Sequence, residues 1–303
     1  MNSGSRYNYQ GESRLFLSVS LTSAVIAVSF AAIFIRLSDA PALVIAFYRL
    51  LFTLIILSPY LMMQWKELRQ LKPGDFVGML ASGIFLAAHF YLWISSLDYS
   101  PVAVAVILVS MHPLLVAAAG HFLLGDNVPR RFIISILLVL TGTAVIAVES
   151  TSGLAEGLTE LKGVMMAIGG AVMMAGYILA GRRLRQHLST TVYASGTYGI
   201  AALMLLLTAL FARIPLTGYP STEYIIFIAL AVIPTLAGHT VFNWALKKVR
   251  ASVISMLYLG EPVGATLLAL IILREIPSML QVLGGLTILF GLYLIIRSGI
   301  SSA

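Results

Sequence analysis

Residues 251–277 read ASVISMLYLGEPVGATLLALIILREIP, and this stretch decides how the whole chain is read. It holds roughly twenty apolar or small residues, enough to cross a bilayer as a helix. Yet Glu261-Pro262 stands near its centre. A carboxylate at that depth costs about 2.5–3.5 kcal/mol on insertion scales, so it must face a partner or a wet cavity rather than lipid. Pro262 removes a backbone donor and frees a carbonyl about one turn earlier, which predicts a break in the helix. The pattern occurs twice. Residues 100–129, SPVAVAVILVSMHPLLVAAAGHFLLGDNVP, carry His112-Pro113 where the later stretch has Glu261-Pro262, and Gly125-Asp126 where it has Arg274-Glu275. The chain therefore reads as a duplication whose two halves meet at broken helices.

Working outward, the composition is that of a membrane protein. Of 303 residues 59% are hydrophobic and only 10% charged, against roughly 25% charged in ordinary soluble domains. Ten apolar runs follow one another at about 15–37, 41–64, 75–97, 101–124, 131–148, 161–181, 190–211, 223–246, 251–273 and 278–296. Each is near the length that spans a bilayer. Turn chemistry such as Ser38-Asp39-Ala40-Pro41 and Lys72-Pro73-Gly74 separates them. The expected fold is an all-α, polytopic membrane protein of ten transmembrane helices arranged as two inverted five-helix repeats. Its parts are a tail at 1–14, a first repeat at 15–149, a connector at 150–160, a second repeat at 161–297 and a tail at 298–303.

Charge gives the orientation. Sorting the 19 Lys and Arg residues by side puts 14 on one face, Arg36, Lys162, Arg213 and Arg274 on the other, and Arg49 inside a span. The basic face is expected to be cytoplasmic, with both termini on it, in an integral cytoplasmic (inner or plasma) membrane protein. The net charge of +7 is thus an orientation signal rather than the mark of a nucleic-acid partner. With no Cys there is no disulfide framework or thiolate metal site, and no metal or cofactor is expected. Five runs per half force the second unit to enter from the opposite side. Inverted units with interrupted helices near the midplane are a recurring plan of secondary transporters. Further matches share the offset: His89 precedes Pro101 by twelve residues and His239 precedes Ala251 by twelve.

The ten-run plan, the doubled unit and the pattern Ala251-Ser252…Glu261-Pro262…Glu275 resemble the drug/metabolite transporter superfamily, specifically its EamA-type members. The resemblance covers almost the whole chain. It implies transport of amino acids, nucleotide-linked metabolites, sugars or drugs, without naming a cargo. Such proteins commonly carry Glu-Pro in the fourth span of each half and Gly-Glu just beyond. Here His112-Pro113 and Gly125-Asp126 depart from that pattern in the first half, leaving Glu261 as the one acid deep in the membrane.

Each polar group inside a run has a functional and a structural reading. Glu261 can exchange a proton or bind a cationic group, or be locked to a partner. Arg49 can hold a substrate carboxylate through its guanidinium fork, or pair with Glu261. His112, His89 and His239 can relay protons or contact substrate, or hydrogen-bond between helices. Tyr258 lies one turn before Glu261 and so shares its face. Tyr48, Tyr177 and Asn243 are further candidates to line a cavity, against a packing or interface role. Pro113 and Pro262 are the expected helix breaks. The leading function is a secondary transporter, exporter or exchanger, for a small polar metabolite such as an amino acid. Its partners would be that small molecule, membrane lipid and a coupling proton, and its mechanism alternating access. The chain has no GxxxxGK[ST] loop to supply its own ATP drive. An intramembrane haem-binding redox protein is the second reading, resting on the histidines as axial ligands.

Overall fold

The computed structural model describes residues 14–124, 130–149, 154–181, 184–245, 257–258 and 260–297, and every regular element among them is helical. The first half comprises α1 (Arg14–Arg36), α2 (Ala42–Met63), the single turn α3 (Trp65–Leu68), α4 (Pro73–Ser96), α5 (Val102–Val109), α6 (His112–Leu124) and α7 (Arg130–Glu149). Then come α8 (Leu154–Gly181), the short α9 (Leu184–His187), α10 (Thr190–Phe211) and α11 (Ser221–Leu230), which runs into a π-helical stretch Ala231–Thr240 and α12 (Val241–Ala245). The chain is described again as α13 (Gly260–Leu268), a second π-helical stretch Ala269–Leu273 and α14 (Met279–Arg297). The loop holding Gly125-Asp126 and most of residues 246–259 lie outside the described residues.

Ten runs of span length were expected, and the helices bear this out in part. Six are long and apolar enough to cross a membrane: Phe16–Arg36, Ala42–Met63, Pro73–Ser96, Leu158–Gly181, Thr190–Phe211 and Ser221–Thr240. Val102–Val116, Ile133–Ile146, Gly260–Leu273 and Met279–Leu294 are shorter apolar helices. The physical reasons are local. The fourth run is two helices, because α5 stops at Val109 and a turn at Ser110-Met111 precedes His112-Pro113. Pro113 is tolerated as the second residue of α6, where its missing N–H would have had no partner. The ninth run ends at Arg274, whose φ of 58° places it in the left-handed region and turns the chain. Other ends carry ordinary caps. Asp75 accepts the backbone N–H of Lys72 at 2.9 Å where α4 begins at Pro73, and the Ser189 hydroxyl accepts from Val192 N at 3.3 Å at the start of α10.

Helix packing follows a pattern in the order of the runs. The third run (α4) lies against the sixth (α8), and the eighth (α11 with its π stretch) against the first (α1). The fourth packs on the sixth and the ninth on the first; the second packs on the seventh and the fifth on the tenth. Advancing every member of these pairs by five returns another pair of the set.

Small residues make the closest approaches. At the contact of α7 with α14, a Cβ on Gly142 would fall 2.5 Å from the Gly284 carbonyl oxygen and 2.8 Å from Ile288 Cγ1. Backbone rather than a flexible side chain stands in the way, so the helices would have to part. Gly142→Val is expected to lose about 1–3 kcal/mol of stability, read as a lower Tm of the detergent-purified protein. Gly199→Ala is the contrasting case, because a Cβ there meets nothing within 4 Å. It should raise stability by up to about 1 kcal/mol through helix propensity alone.

Candidate functional site

The most deeply buried charge among the described residues is Arg49, on α2, with none of its surface exposed. Its Nε donates to Thr235 Oγ1 at 2.9 Å, and that hydroxyl in turn donates to the Leu230 carbonyl at 2.8 Å. The five-residue step from Thr235 back to Leu230 is the π-helix spacing, so the widened helix puts the hydroxyl beneath the guanidinium. The guanidinium carbon sits 4.6 Å from the centre of the Phe90 ring and 5.8 Å from that of Trp93, both on α4. A cation over an aromatic face is held by the ring quadrupole, which tolerates the charge without neutralising it. Nη1 and Nη2 are buried and have no hydrogen-bond partner. In an interior where buried donors are nearly always satisfied, two unpartnered donors on one guanidinium fork stand out.

Around this fork stand several of the residues predicted from sequence. Glu261, on α13, is partly exposed and lies close enough to Arg49 for their charges to act on one another. Among the described residues Arg49 and Glu261 form no ion pair. His89 is buried, and its ring lies parallel to that of Trp93 with centroids 6.0 Å apart. Its Nδ1 lies 2.9 Å from the Gly170 carbonyl of α8. A carbonyl only accepts, so Nδ1 carries the proton and Nε2 is the free acceptor of the neutral ring. His112 makes the same kind of bond to the Val109 carbonyl at 3.2 Å, across the break between α5 and α6. His239, in the π stretch, pairs through Nδ1 with the Tyr258 hydroxyl at 3.1 Å, and their rings stack with centroids 5.9 Å apart. Arg49, His89 and His112 lie close enough to His239 that a charge on any of them would act on it.

Other predicted residues stand apart. The Tyr48 hydroxyl donates to the Leu216 carbonyl at 2.8 Å, and its ring lies parallel to Phe227 and edge-on to Tyr224. That places it in an aromatic stack at the end of the bundle that carries Leu216, away from the fork. Tyr177 stacks with Tyr193 at 6.3 Å on the α8–α10 side. Pro262 is buried in α13. The Asn243 side chain lies outside the described residues. Sequence reasoning passed over Thr235 and Phe90. An isolated Thr after Pro234 in an apolar run was the one available signal for the first, and nothing marks Phe90 among fourteen phenylalanines.

One cavity among the described residues lies at an end of the bundle, without Arg49 in its wall. It has a volume of about 720 Å³ and is lined by Arg36, Asp98, Glu160, Glu275, Thr266 and Gln281 among others. Thr266 belongs to α13, the helix of Glu261, so the cavity runs along that helix. At its rim Glu275 ties both halves together. Its Oε1 accepts from Arg36 Nε at 3.1 Å and Nη2 at 2.8 Å, and Oε2 accepts from Val102 N at 2.8 Å, at the start of α5. A carboxylate at a helix N-terminus is stabilised by the helix dipole as well as by the bond. Arg36 Nη1 donates to the Leu97 carbonyl at 2.8 Å. The opposite end is tied by Asp75, which accepts from His187 Nε2 at 2.9 Å, and by Glu67, which accepts from Ser189 N.

An all-helical bundle of membrane-length helices, with ionisable side chains converging from both halves, defines a polytopic membrane protein with a polar interior. The match to known families makes the class specific. The model of the EamA-like transporter family matches this chain twice, over residues 15–148 and 161–297. The chain belongs to the EamA-like transporter family. An uncharacterised transporter of Archaeoglobus fulgidus is 26% identical, covering 93% of this chain and 97% of that protein. An uncharacterised transporter of Synechocystis is 24% identical, covering 76% and 71%. The aromatic amino acid exporter YddG of Ancylobacter novellus is 25% identical, covering 64% and 66%. A solved crystal structure superposes with a TM-score of 0.63 at 19% identity, covering 93% of this chain and 96% of the other, and so shares the fold. The haem-binding alternative finds no support in these matches.

Proposed function

We propose that this protein is a secondary transporter that moves a small polar metabolite, an amino acid or related compound, across the cytoplasmic membrane by alternating access. Its working form is ten membrane-crossing segments in two inverted five-helix units, with both termini in the cytoplasm. The observation that carries the reading is the Arg49 fork, a cation with no exposed surface whose two terminal nitrogens lack a hydrogen-bond partner. A buried, unsatisfied donor pair is costly unless something comes to occupy it. A substrate carboxylate fits it in charge, planarity and number of acceptors. Glu261, on the partner half and within the field of Arg49 but not bonded to it, takes the coupling proton or the cationic end of the cargo. His89, His112 and His239 with Tyr258 supply the polar wall of the site. The packing pairs that map onto each other by five runs support rocking of one unit against the other. The relative named as an aromatic amino acid exporter supports a cargo with both a carboxylate and an ammonium group.

The test is a metabolite panel in proteoliposomes under imposed proton and sodium gradients, comparing the parent with Arg49→Gln and Glu261→Gln. Saturable movement of at least one panel member, lost in one or both variants, is the expected result. No movement of any member by the parent, or equal rates in all three proteins, removes the reading.

A further inference from the structure

Asp75, Met79, Ser82, Leu86, His89 and Trp93 are all buried on α4, and their alternate steps of four and three residues set them in line along the helix. At 1.5 Å per residue the line runs about 27 Å, from one end of the bundle to the rings beside Arg49. Its outer part meets α9 and α10 of the second repeat, and that contact is layered. Outermost are two bonds between the halves. Asp75 Oδ1 accepts from His187 Nε2 at 2.9 Å, and Glu67 accepts from the Ser189 N–H where α10 begins. Beneath them lies an apolar plug of Met79, Leu184, Val192 and Tyr193, with Leu68, Leu71 and Leu188 packed against it. Deeper still, Ser82 on α4 and Ser195 and Thr197 on α10 are buried, and their hydroxyls have no hydrogen-bond partner. The helices are close at this level: a Cβ on Gly83 would fall 3.1 Å from the Thr197 carbonyl oxygen. Helical Ser and Thr can bond back to the carbonyl one turn earlier, as Thr53, Ser110 and Thr208 do here. Three hydroxyls sealed without a partner cost free energy that water would return. The two ends of the bundle are also closed by unlike bonds. Glu275 holds a guanidinium through two nitrogens and the start of α5 besides. His187 is an imidazole with 53% of its side chain exposed, charged only when protonated, and so makes the weaker tie.

We propose that Asp75 with His187, and Glu67 with the Ser189 N–H, form a latch on the seam between α4 and α10, and that its release lets water reach Ser82, Ser195 and Thr197. Asp75 is built for this. Its Oδ2 caps α4 by accepting the Lys72 N–H while Oδ1 holds His187, so the latch opens without unwinding the helix. The plug is small and made of side chains from both halves, so it parts when they do. Beyond the hydroxyls the same line on α4 reaches His89 and Trp93, which stack on one another beside Arg49. The parted seam is therefore a path from this end of the bundle to the fork. That cargo uses the path rests on the transport reading; the opening of the seam does not.

The chain has no Cys, so one introduced cysteine reports on the seam. The experiment measures how fast a charged, lipid-insoluble methanethiosulfonate labels Ser82→Cys in the full-length protein in lipid nanodiscs. Ser135→Cys, at a buried position on α7, is the control. Slow labelling of Ser82→Cys is expected with the latch intact. It should rise about 3-fold when His187→Ala or Glu67→Ala is added, the worth of one partly exposed bond, and further when both are. His187→Lys, which still donates to Asp75, should keep the rate of the intact latch. Labelling of Ser135→Cys should not change in any of these backgrounds, an outcome that general loosening of the fold would not give. No labelling of Ser82→Cys, equal labelling with and without the latch, or a parallel rise at Ser135→Cys overturns the proposal. Any of these in a protein that exchanges metabolite removes the latch and leaves the transport reading intact. The expected pattern in a protein that moves no metabolite upholds the latch and removes the transport reading instead.

Discussion

Arg49→Gln is expected to slow transport of carboxylate-bearing cargo by about 100-fold, the loss of two charge-assisted hydrogen bonds. The parent offers Nη1 and Nη2 together, which match the two oxygens of a carboxylate in one plane. Arg49→Lys should restore little of the rate, because an ammonium is a point charge and cannot make the parallel pair. The more discriminating readout is stability. Arg49 in the empty protein has one side-chain hydrogen bond, to Thr235, and the faces of Phe90 and Trp93, but two donors are left unsatisfied. Replacing such a group by an apolar residue of similar length relieves desolvation that Thr235 and the two rings offset only in part. Arg49→Met should therefore raise the Tm of the purified, cargo-free protein while abolishing transport. If Arg49 were a structural bridge between α2 and the π stretch, the same substitution would lower the Tm. A Tm decrease of several degrees in Arg49→Met, with transport of carboxylates intact in Arg49→Gln, would assign the residue to the scaffold.

Arg49 also shows how far the sequence could be read. A lone Arg inside an apolar run announces itself, and its depth was enough to place it in the region of Glu261. What held it was hidden. Thr235 reaches Arg49 through a π-helical stretch, and a π helix has no sequence pattern separate from the α helix it interrupts. Phe90 is one ring among many. The aromatic candidates divided for the same reason: Tyr258 met His239, whereas Tyr48 went to a stack with Phe227 and Tyr224, because an aromatic in a membrane helix suits packing, an interface or a cavity equally. Breaks were easier to read than lengths. His112-Pro113 marks the place where α5 gives way to α6, yet hydropathy continues across that turn, so the run looks longer than either helix. The cavity at the end of the bundle was not legible at all. Its wall joins the end of α1, the α4–α5 loop with the start of α5, α8, α13 with its π stretch, and the chain beyond Arg274, regions spread along the chain and brought together only by packing. Glu275 was visible as part of the repeated pattern, but its work in binding Arg36 and the start of α5 is a property of that packing.

On the proposed function, Glu261→Gln is expected to separate cargo exchange from proton-driven accumulation. The substitution keeps size and hydrogen-bonding shape and removes the carboxylate's ability to take up and release a proton. Exchange of labelled for unlabelled cargo, with no gradient imposed, needs the site and the rocking motion but no net proton movement. It should stay within about 3-fold of the parent, a change of less than 1 kcal/mol. Accumulation driven by a proton gradient needs the carboxylate to change charge between the two faces, and it should fall by at least about 10-fold, to the level of the uncoupled protein. The pH dependence of the driven rate should flatten in the same variant, while Glu261→Asp, which keeps the titratable group, retains part of it. This split follows from geometry: the carboxylate is partly exposed, lies in the field of Arg49 and forms no ion pair with it, so its charge can change without breaking a salt bridge. A carboxylate that merely held helices together would take exchange and driven accumulation down in parallel and lower the Tm. One that bound the ammonium end of the cargo would raise the half-saturating concentration for exchange by about 10-fold, the cost of a charge-assisted bond, and leave the pH profile in place. The ratio of driven to exchange rates in a single set of proteoliposomes therefore distinguishes coupling from binding and both from structure.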